Sequence, residues 1–360
     1  MSGAASGIGE RELRAGADEL IARCLAVGAE DRVLVLTDAI TEPLAVHISR
    51  AAAARAEAST LVLPSLDTEY DEAFARLRSG IEAVQPTVVI FAARDELDRL
   101  AWDERYWALL DGVAARSAHL PALDASSLGV GLATDYDEVA RFTEEVTRRV
   151  GGTREVRISN ALGTDIVFAC DPARPWTPFT GLYRQPGDGG RLPQGETFCS
   201  PVDANGVIAA SVLGYPFNAS TGLLSAPVRF TIASGRLTEL QHPDAELAAR
   251  LRAWFSRDEH AGRIGELAFG TNRACTAIVG NLLFDENVPG CHIALGHPFG
   301  DYTGASWDSG VHVDLVVDRP TILVDGRTLM SRGVYVDLDA DPDADPDAPP
   351  AALPTNGDPA

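Results

Sequence analysis

The sequence predicts an α/β N-terminal domain with a parallel sheet, followed by a mainly β (α+β) C-terminal domain. Strand and helix patterns alternate over the first 152 residues. Short strands separated by Gly and Pro turns follow, and the last stretch is rich in Asp, Pro and Ala. We therefore divide the chain into residues 1–152, residues 153–336 and an acidic tail at residues 337–360.

Three apolar runs in the first domain are typical of buried strands: residues 32–37, 59–64 and 87–92. Between them, residues 41–58 form an alanine-rich helix pattern, and residues 70–84 carry apolar side chains on one helical face. Strands joined through single helices pair in parallel by right-handed crossovers. The alternation therefore predicts a parallel sheet.

Two further helices are predicted before the domain boundary. In residues 95–115, Leu97 and Trp102 belong to an apolar stripe. Residues 135–150 begin at a candidate N-cap, Asp135, and end at a pair of glycines. After Gly152 the pattern changes from alternating strands and helices to short strands, so we place the domain boundary there.

The second domain is predicted to be built from short strands, with one helix at residues 243–255. Strands with alternating apolar and polar side chains include residues 155–159, 164–169 and 228–232. In the tail, aspartates alternate from Asp337 to Asp347, which is similar to a calcium-binding loop. That loop needs Gly at its sixth position and Glu at its twelfth, and prolines interrupt it here. We therefore predict a disordered tail.

The charged residues exclude several classes of function. The chain has 30 basic and 52 acidic side chains, a net charge of −22, and no lysine at all. Without lysine there is no Schiff-base chemistry, no phosphate loop ending in Gly-Lys-Ser/Thr and no Tyr/Lys dehydrogenase pair. A strongly acidic protein also binds nucleic acids and anionic membranes poorly, so we expect neither as a partner.

The cysteines and the N-terminus indicate in which cellular compartment the protein is located. The five cysteines are scattered without a Cys-x-x-Cys pair, which argues against a disulfide framework. The first residues contain no apolar signal stretch, and no run approaches 18 apolar residues. The early Ser2–Gly9 segment is similar to a dinucleotide loop, but only Met1 precedes it, so we predict a flexible leader. These observations predict a soluble, cytoplasmic protein.

One short strand carries the first candidate site. In Val-His-Val-Asp-Leu, alternation along a strand puts His312 and Asp314 on one face and the apolar residues on the other. A histidine and a carboxylate two residues apart on a rigid element suit a metal ion. Taken alone, the pair fits a surface hydrogen bond better than a metal site.

Further acids and a second histidine lie in the same domain. Glu286 and His292 precede the pair, Glu266 interrupts an apolar segment, and Glu196 begins a predicted strand. An unpaired charge in an apolar segment is costly, so these side chains need partners. Four acids and two histidines together are the set that a two-metal site requires. Independent ion pairs with arginines are the alternative.

The segments PQGETF, RIGELAFGTN, DENVPGCHIALG and HVD resemble the metal-binding series of the thermophilic metallo-aminopeptidases, the aminopeptidase T and aminopeptidase S family. The likeness covers most of the chain. It implies a hydrolase that cleaves the amide bond beside a free amino group of a small-molecule or short-peptide substrate. It also implies a homodimer and two divalent ions (zinc, cobalt or manganese). The implied ligands are Glu196, Glu266, Glu286, His292, His312 and Asp314.

The resemblance also implies catalytic groups. Glu196 or Glu266 would accept the proton of the attacking water. The family has a catalytic tyrosine seven residues after the histidine that matches His292, and here Phe299 stands in its place. A phenyl ring cannot donate a hydrogen bond to an oxyanion. We expect either a narrow substrate range or a replacement hydroxyl from Tyr302.

A more distant resemblance links the chain to the dihydroxypyridine ring-cleaving dioxygenases. These enzymes hold one iron(II) through the His-x-Asp pair and a further histidine, at whose position this chain has Glu266. An iron(II)-dependent dioxygenase is therefore the alternative function. A specialised relative without hydrolytic activity is a third possibility.

Overall fold

A computed structural model describes residues 7–336 and places them in two sheets with nine α-helices. The strands are β1 (Arg32–Thr37), β2 (Glu57–Val62), β3 (Val88–Phe91), β4 (Arg116–His119), β5 (Glu155–Ser159), β6 (Asp165–Ala169), β7 (Thr177–Phe179), β8 (Gly189–Arg191), β9 (Glu196–Cys199), β10 (Asp203–Leu213), β11 (Leu223–Ala233), β12 (Arg236–Gln241), β13 (Ile264–Gly270), β14 (Gly290–Gly296), β15 (His312–Val317), β16 (Thr321–Val324), β17 (Arg327–Ser331) and β18 (Val334–Tyr335). The helices are α1 (Glu10–Glu19), α2 (Glu42–Ala53), α3 (Tyr70–Val84), α4 (Glu104–Val113), α5 (Tyr136–Val150), α6 (Asn218–Thr221), α7 (Ala245–Trp254), α8 (Leu282–Asp285) and α9 (Gly300–Thr303).

The first sheet confirms the predicted parallel α/β arrangement. Its strands lie in the order β2-β1-β3-β4-β8, and every neighbouring pair is parallel. Strand β1 is buried at all positions except its first residue. Helix α3 has the predicted bounds, whereas α2 ends five residues early because the chain enters β2 at Glu57.

The predicted helix at residues 95–115 is wrong in its first half. The Asp95 carboxylate accepts the backbone N–H of Leu100, and Asp98 has a left-handed backbone. Asp103 then caps α4 by accepting the N–H of Arg105. These aspartates favour local turns over a continuous helix. In consequence Trp102 does not lie on a buried stripe but is 49% exposed.

The second sheet confirms the mainly β C-terminal part. It has 13 strands among the described residues, 11 along its main path and two (β11 and β12) beside β10, and the pairs are antiparallel. The predicted strand at residues 155–159 has the predicted bounds, and the predicted helix at residues 243–255 is α7. Four neighbouring strands, β9, β13, β14 and β15, carry most of the predicted site residues.

The two parts of the chain interlock through β8. This strand follows residue 152 in sequence, yet it pairs with β4 at the edge of the first sheet. The boundary near Gly152 stays a prediction. The predicted tail at residues 337–360 and most of the predicted leader lie outside the described residues. None of the helices within residues 7–336 has the length and apolar character needed to cross a membrane.

Candidate metal centre

The six predicted ligands line one cavity of about 980 Å³ between the two sheets. Glu196 begins β9, Glu266 lies in β13 and His292 lies in β14. On β15, His312 and Asp314 alternate as predicted and both face the cavity. Residues 118 positions apart in sequence therefore meet because their strands are neighbours in one sheet.

A bulge aims Glu266 into the cavity. Ile264 pairs with Leu295 and Glu266 with Ala294, so Gly265 is an extra residue in β13. A Cβ on Gly265 would lie 2.4 Å from the carbonyl oxygen of Gly296. Only glycine allows this close approach of the two strands, and the bulge sets the direction of the next side chain.

Glu266 lies between the two histidines. Its Oε1 is 3.5 Å from Nε2 of His292, and its Oε2 is 3.7 Å from Nε2 of His312. Nε2 of His292 is also 3.2 Å from Oε2 of Glu196, and Nε2 of His312 is 3.3 Å from Oδ1 of Asp314. The five side chains thus form two groups that share Glu266.

The distances within the group of Glu196, Glu266 and His292 suit a metal ion. Ligands bound tetrahedrally at about 2.0–2.2 Å from one ion lie roughly 3.3–3.6 Å apart. The ligand atoms of Glu196, Glu266 and His292 all lie within 4.8 Å of one another. Although Glu196 Oε2 is close to His292, the two atoms do not have hydrogen-bond geometry, and this buried oxygen has no hydrogen-bond partner among the described residues. A cation would satisfy it.

The orientation of His312 also fits a ligand. Its Nδ1 lies 3.0 Å from the carbonyl oxygen of His297. Because a carbonyl only accepts, Nδ1 carries a hydrogen, and Nε2, which faces Glu266 and Asp314, is the nitrogen that would bind a cation once its proton is displaced. His297 therefore acts through its backbone, while its ring faces Asp308 at 3.2 Å.

Electrostatics support a site that needs positive charge. Burial lowers the pKa of His312, but Asp314 and Glu266 outweigh burial and raise this pKa to about 9. Burial likewise opposes a charge on His292, but Glu196 and Glu266 hold its pKa well above the ordinary value. Protons on the histidines thus balance the acids, and a bound cation would displace them.

Glu286 lies in the same cavity but outside both groups. It follows α8, and its neighbours Asp285 and Asn287 hold the backbone: Asp285 accepts the N–H groups of Val279 and Gly280, and the Asn287 amide donates to the carbonyl of Pro193. No hydrogen bond or ion pair joins the Glu286 carboxylate to another described residue. Burial, reinforced by the nearby acids, raises its pKa to about 8.

Aromatic side chains form the wall beside His312. The Phe299 ring lies 4.7 Å from the His312 ring and stacks on Trp102 at 6.2 Å. Tyr302 is 50% exposed, lines the same cavity, and packs edge-on against Phe179. The phenyl ring of Phe299, rather than a hydroxyl, is thus the group next to His312.

A family comparison agrees with this geometry. The sequence model of the thermophilic metalloprotease family (M29) matches residues 133–336, more than half of the chain. The chain belongs to the M29 metalloprotease family. A search of curated proteins found no match to this M29 chain.

Two solved structures share the fold of this M29 chain. Wild-type AmpT from Thermus thermophilus has a TM-score of 0.67 at 18% identity, and the match covers 91% of this chain and 99% of that one. A 2,5-dihydroxypyridine dioxygenase from Pseudomonas putida KT2440 has a TM-score of 0.65 at 16% identity, covering 90% and 97%. Both resemblances noted in the sequence are therefore confirmed at the level of the fold.

Gly214 makes a test of the Asp314 position possible. Its N–H donates to the carbonyl of Asp314, and an added Cβ would lie 2.6 Å from the backbone nitrogen of Asp314 and 2.9 Å from its Oδ2, so that both the strand and the carboxylate must shift. We expect Gly214→Ala to displace this carboxylate and weaken zinc binding about 10–100-fold, measured by competition with a chelator. Gly112→Ala, where a Cβ meets nothing within 4 Å, is the control. Equal affinity of Gly214→Ala and wild type would show that Asp314 is not a ligand.

Sequence reasoning missed several residues that line the cavity, among them Asp98, Trp102, His119, Arg191 and Tyr215. Trp102 is predicted on a buried stripe, and His119, which follows the predicted helix at residues 95–115, instead ends β4. Arg191 directly precedes the LPQGETF segment, and this position was the only signal available for it.

Proposed function

We propose that this metalloprotease-family chain is an aminopeptidase that cleaves the amide bond next to the free amino group of a short peptide. The observation that supports this most is the position of Glu266, whose two oxygens face two separate histidines. A carboxylate that serves two groups at once is typical of a site for two metal ions.

The residues suit two divalent ions, zinc, cobalt or manganese. Glu196, Glu266 and His292 would hold one ion; Glu266, His312 and Asp314 would hold the other. Such ions, when bound, lower the pKa of a water molecule and polarise the scissile carbonyl. Glu286 lies in the same cavity and is proposed as a further ligand.

Proton transfer needs a carboxylate that the metals leave partly free. We assign this role to Glu196 or Glu266 on the family resemblance. Glu266 faces histidines with both oxygens, whereas Glu196 accepts the Gln194 amide through Oε1, 3.0 Å away, and faces His292 with Oε2. Glu286 has neither kind of contact, so it is a third candidate for the base.

The walls of the cavity favour one end of a peptide. The acidic side chains of the two candidate metal groups (Glu196, Glu266 and His292; Glu266, His312 and Asp314) attract a cationic amino terminus. The rings of Trp102, Phe179 and Phe299 offer an apolar surface to the first side chain of the substrate. A peptide with an apolar N-terminal residue fits these features.

Metal loading and two assays test the proposal. Full-length protein loaded with zinc, cobalt or manganese is expected to hydrolyse leucine p-nitroanilide, and chelation should lower the rate by at least about 100-fold, with recovery after metal is restored. The iron(II)-loaded protein is assayed for oxygen uptake on 2,5-dihydroxypyridine. Oxygen uptake without anilide hydrolysis would contradict the aminopeptidase.

The dioxygenase remains the second candidate because a 2,5-dihydroxypyridine dioxygenase shares the fold. A mononuclear iron(II) site of this type needs two histidines and one carboxylate. The cluster here has the two histidines but three carboxylates in direct contact with them, Glu196, Glu266 and Asp314. That surplus favours the hydrolase. Metal binding without either activity would indicate a specialised relative.

A further inference from the structure

The cavity extends from the metal groups to the edge of the parallel sheet. There, His119 ends β4 and Arg191 ends β8, and the two residues are aligned in the parallel pair. Asp98 lies in the segment that follows β3. Parallel α/β sheets bind ligands at the carboxyl ends of their strands. All three side chains line the cavity wall.

Several polar groups at this edge have incomplete hydrogen bonding. Arg191 donates through Nη2 to Asp98 Oδ2 at 2.5 Å, but its Nη1 has no acceptor among the described residues. Neither nitrogen of His119 has a partner by the same measure, and the hydroxyl of Tyr215 has none. Buried donors of this kind are costly unless a ligand or water completes them.

The unmet groups include three donors and also one carboxylate oxygen, Asp98 Oδ1, which lies 3.9 Å from Nε2 of His119. Burial lowers the pKa of His119, so its ring is neutral and provides one N–H. The Tyr215 hydroxyl and the free N–H of Arg191 bring the number of donors to three. The Arg191 guanidinium lies 5.3 Å from the centre of the Tyr215 ring. The Arg191 side chain is still 28% accessible.

A carboxylate is the ligand that these donors suit. Arginine binds carboxylates through paired N–H groups, and a tyrosine hydroxyl adds a further hydrogen bond. Asp98 also faces this region, and its pairing with Arg191 at 2.5 Å makes the two side chains neutral as a pair, so the ligand is selected by the N–H groups that this pair leaves free. The free donors therefore favour a ligand with acceptor oxygens, such as a carboxylate.

We propose that Arg191, together with His119 and Tyr215, binds the C-terminal carboxylate of the substrate, so that the preferred substrates are short peptides with a free carboxyl end. This inference rests on the proposed aminopeptidase function. It adds a second anchor: the amino end of the peptide lies at the acidic metal groups, and the carboxyl end lies at the sheet edge. A cavity of about 980 Å³ has room for both.

The test compares Leu-Leu with Leu-Leu-amide on the metal-loaded full-length protein. Wild type is expected to prefer the free acid by at least about 10-fold in kcat/KM. Arg191→Met should lower kcat/KM for Leu-Leu by about 30-fold or more, mainly through KM, since one charge pair is lost. The amide should change less than about 3-fold, and Arg191→Lys should restore part of the preference.

Two variants guard against a purely structural effect. Arg191→Met leaves Asp98 without its partner, so the double variant Asp98→Asn/Arg191→Met is measured beside it and should show the same loss of preference. Arg116→Met breaks another largely buried pair, with Asp31, away from the cavity. It should reduce stability without changing the ratio of acid to amide.

The outcomes separate this inference from the proposed function. If wild type cleaves acid and amide equally well, or prefers the amide, the carboxylate subsite is wrong and the aminopeptidase stands. If wild type cleaves neither, the aminopeptidase fails. Binding then decides on Arg191: calorimetry measures the affinity for a Leu-Leu analogue whose amide is reduced to an amine, as free acid and as amide. Tighter binding of the acid that disappears in Arg191→Met supports the subsite, and equal affinities overturn it.

Discussion

Replacing Glu266 by glutamine is expected to abolish hydrolysis and to remove bound metal. The carboxylate contacts both histidines through different oxygens, so an amide disturbs both groups at once. An amide nitrogen cannot act as an anionic ligand, and the buried histidines lose the charge that balances them. We expect kcat/KM on leucine p-nitroanilide to fall by more than about 100-fold, with metal per chain, measured by mass spectrometry, falling toward zero.

The control for this variant is a glutamate of similar local structure. Glu239 lies on β12 and is exposed outside the cavity. Glu239→Gln should keep its metal content and activity within about 2-fold. Glu266→Gln with normal metal content but no activity would make Glu266 a proton acceptor rather than a ligand. Full activity of Glu266→Gln would refute the two-metal proposal.

The convergence of the candidate ligands around Glu266 could be predicted in part because these residues stand out within short strands. His312 and Asp314 alternate on one strand, and Glu266 is an acid in a run that is otherwise apolar and buried. Such residues stand out against the pattern that a sheet core requires. Their convergence follows once the strands become neighbours. The pattern did not indicate the order of those strands.

Arg191, His119 and Asp98, at the edge of the parallel sheet, could not be predicted from the sequence. The reason differs from that for the candidate ligands. Strand β8 has three residues, two of them glycines, and carries no apolar pattern that would place Arg191 beside His119. Its pairing with β4 joins residues about 70 positions apart and depends on tertiary structure alone. Likewise, Asp98 reaches Arg191 because three aspartates break a segment whose apolar residues predicted a helix.

Introducing a hydroxyl at residue 299 is expected to increase peptide hydrolysis. The Phe299 ring lies 4.7 Å from the ring of His312, in the wall of the metal cavity. Its backbone is held in place, since its N–H donates to Nδ1 of His297 and its carbonyl accepts the N–H of Thr303 in α9. Phe299→Tyr therefore adds one oxygen to a ring whose position is already set.

The expected increase in kcat for Phe299→Tyr follows from stabilisation of the oxyanion in the transition state. One lost donor costs about 10²–10³ in rate, so a correctly placed tyrosine should raise kcat by up to this factor. Metal content should not change, because Phe299 is not a ligand. The effect should appear in kcat rather than KM, since the hydroxyl acts on charge that develops in the transition state. Steady-state kinetics on leucine p-nitroanilide, with metal analysis of each preparation, measure both quantities.

Tyr302→Phe decides whether the protein already has a substitute hydroxyl. The Tyr302 ring packs 5.3 Å from Phe179 and 6.4 Å from Phe198, whereas Phe299 is the ring in contact with His312. We therefore expect Tyr302→Phe to change kcat by less than about 3-fold, well below the loss of an oxyanion donor. If Tyr302→Phe instead abolishes activity and Phe299→Tyr has no effect, Tyr302 supplies the hydroxyl from the neighbouring turn. If neither variant alters turnover, a tyrosine hydroxyl has no part in this reaction, and the transition state depends on the metal groups and the carboxylates alone.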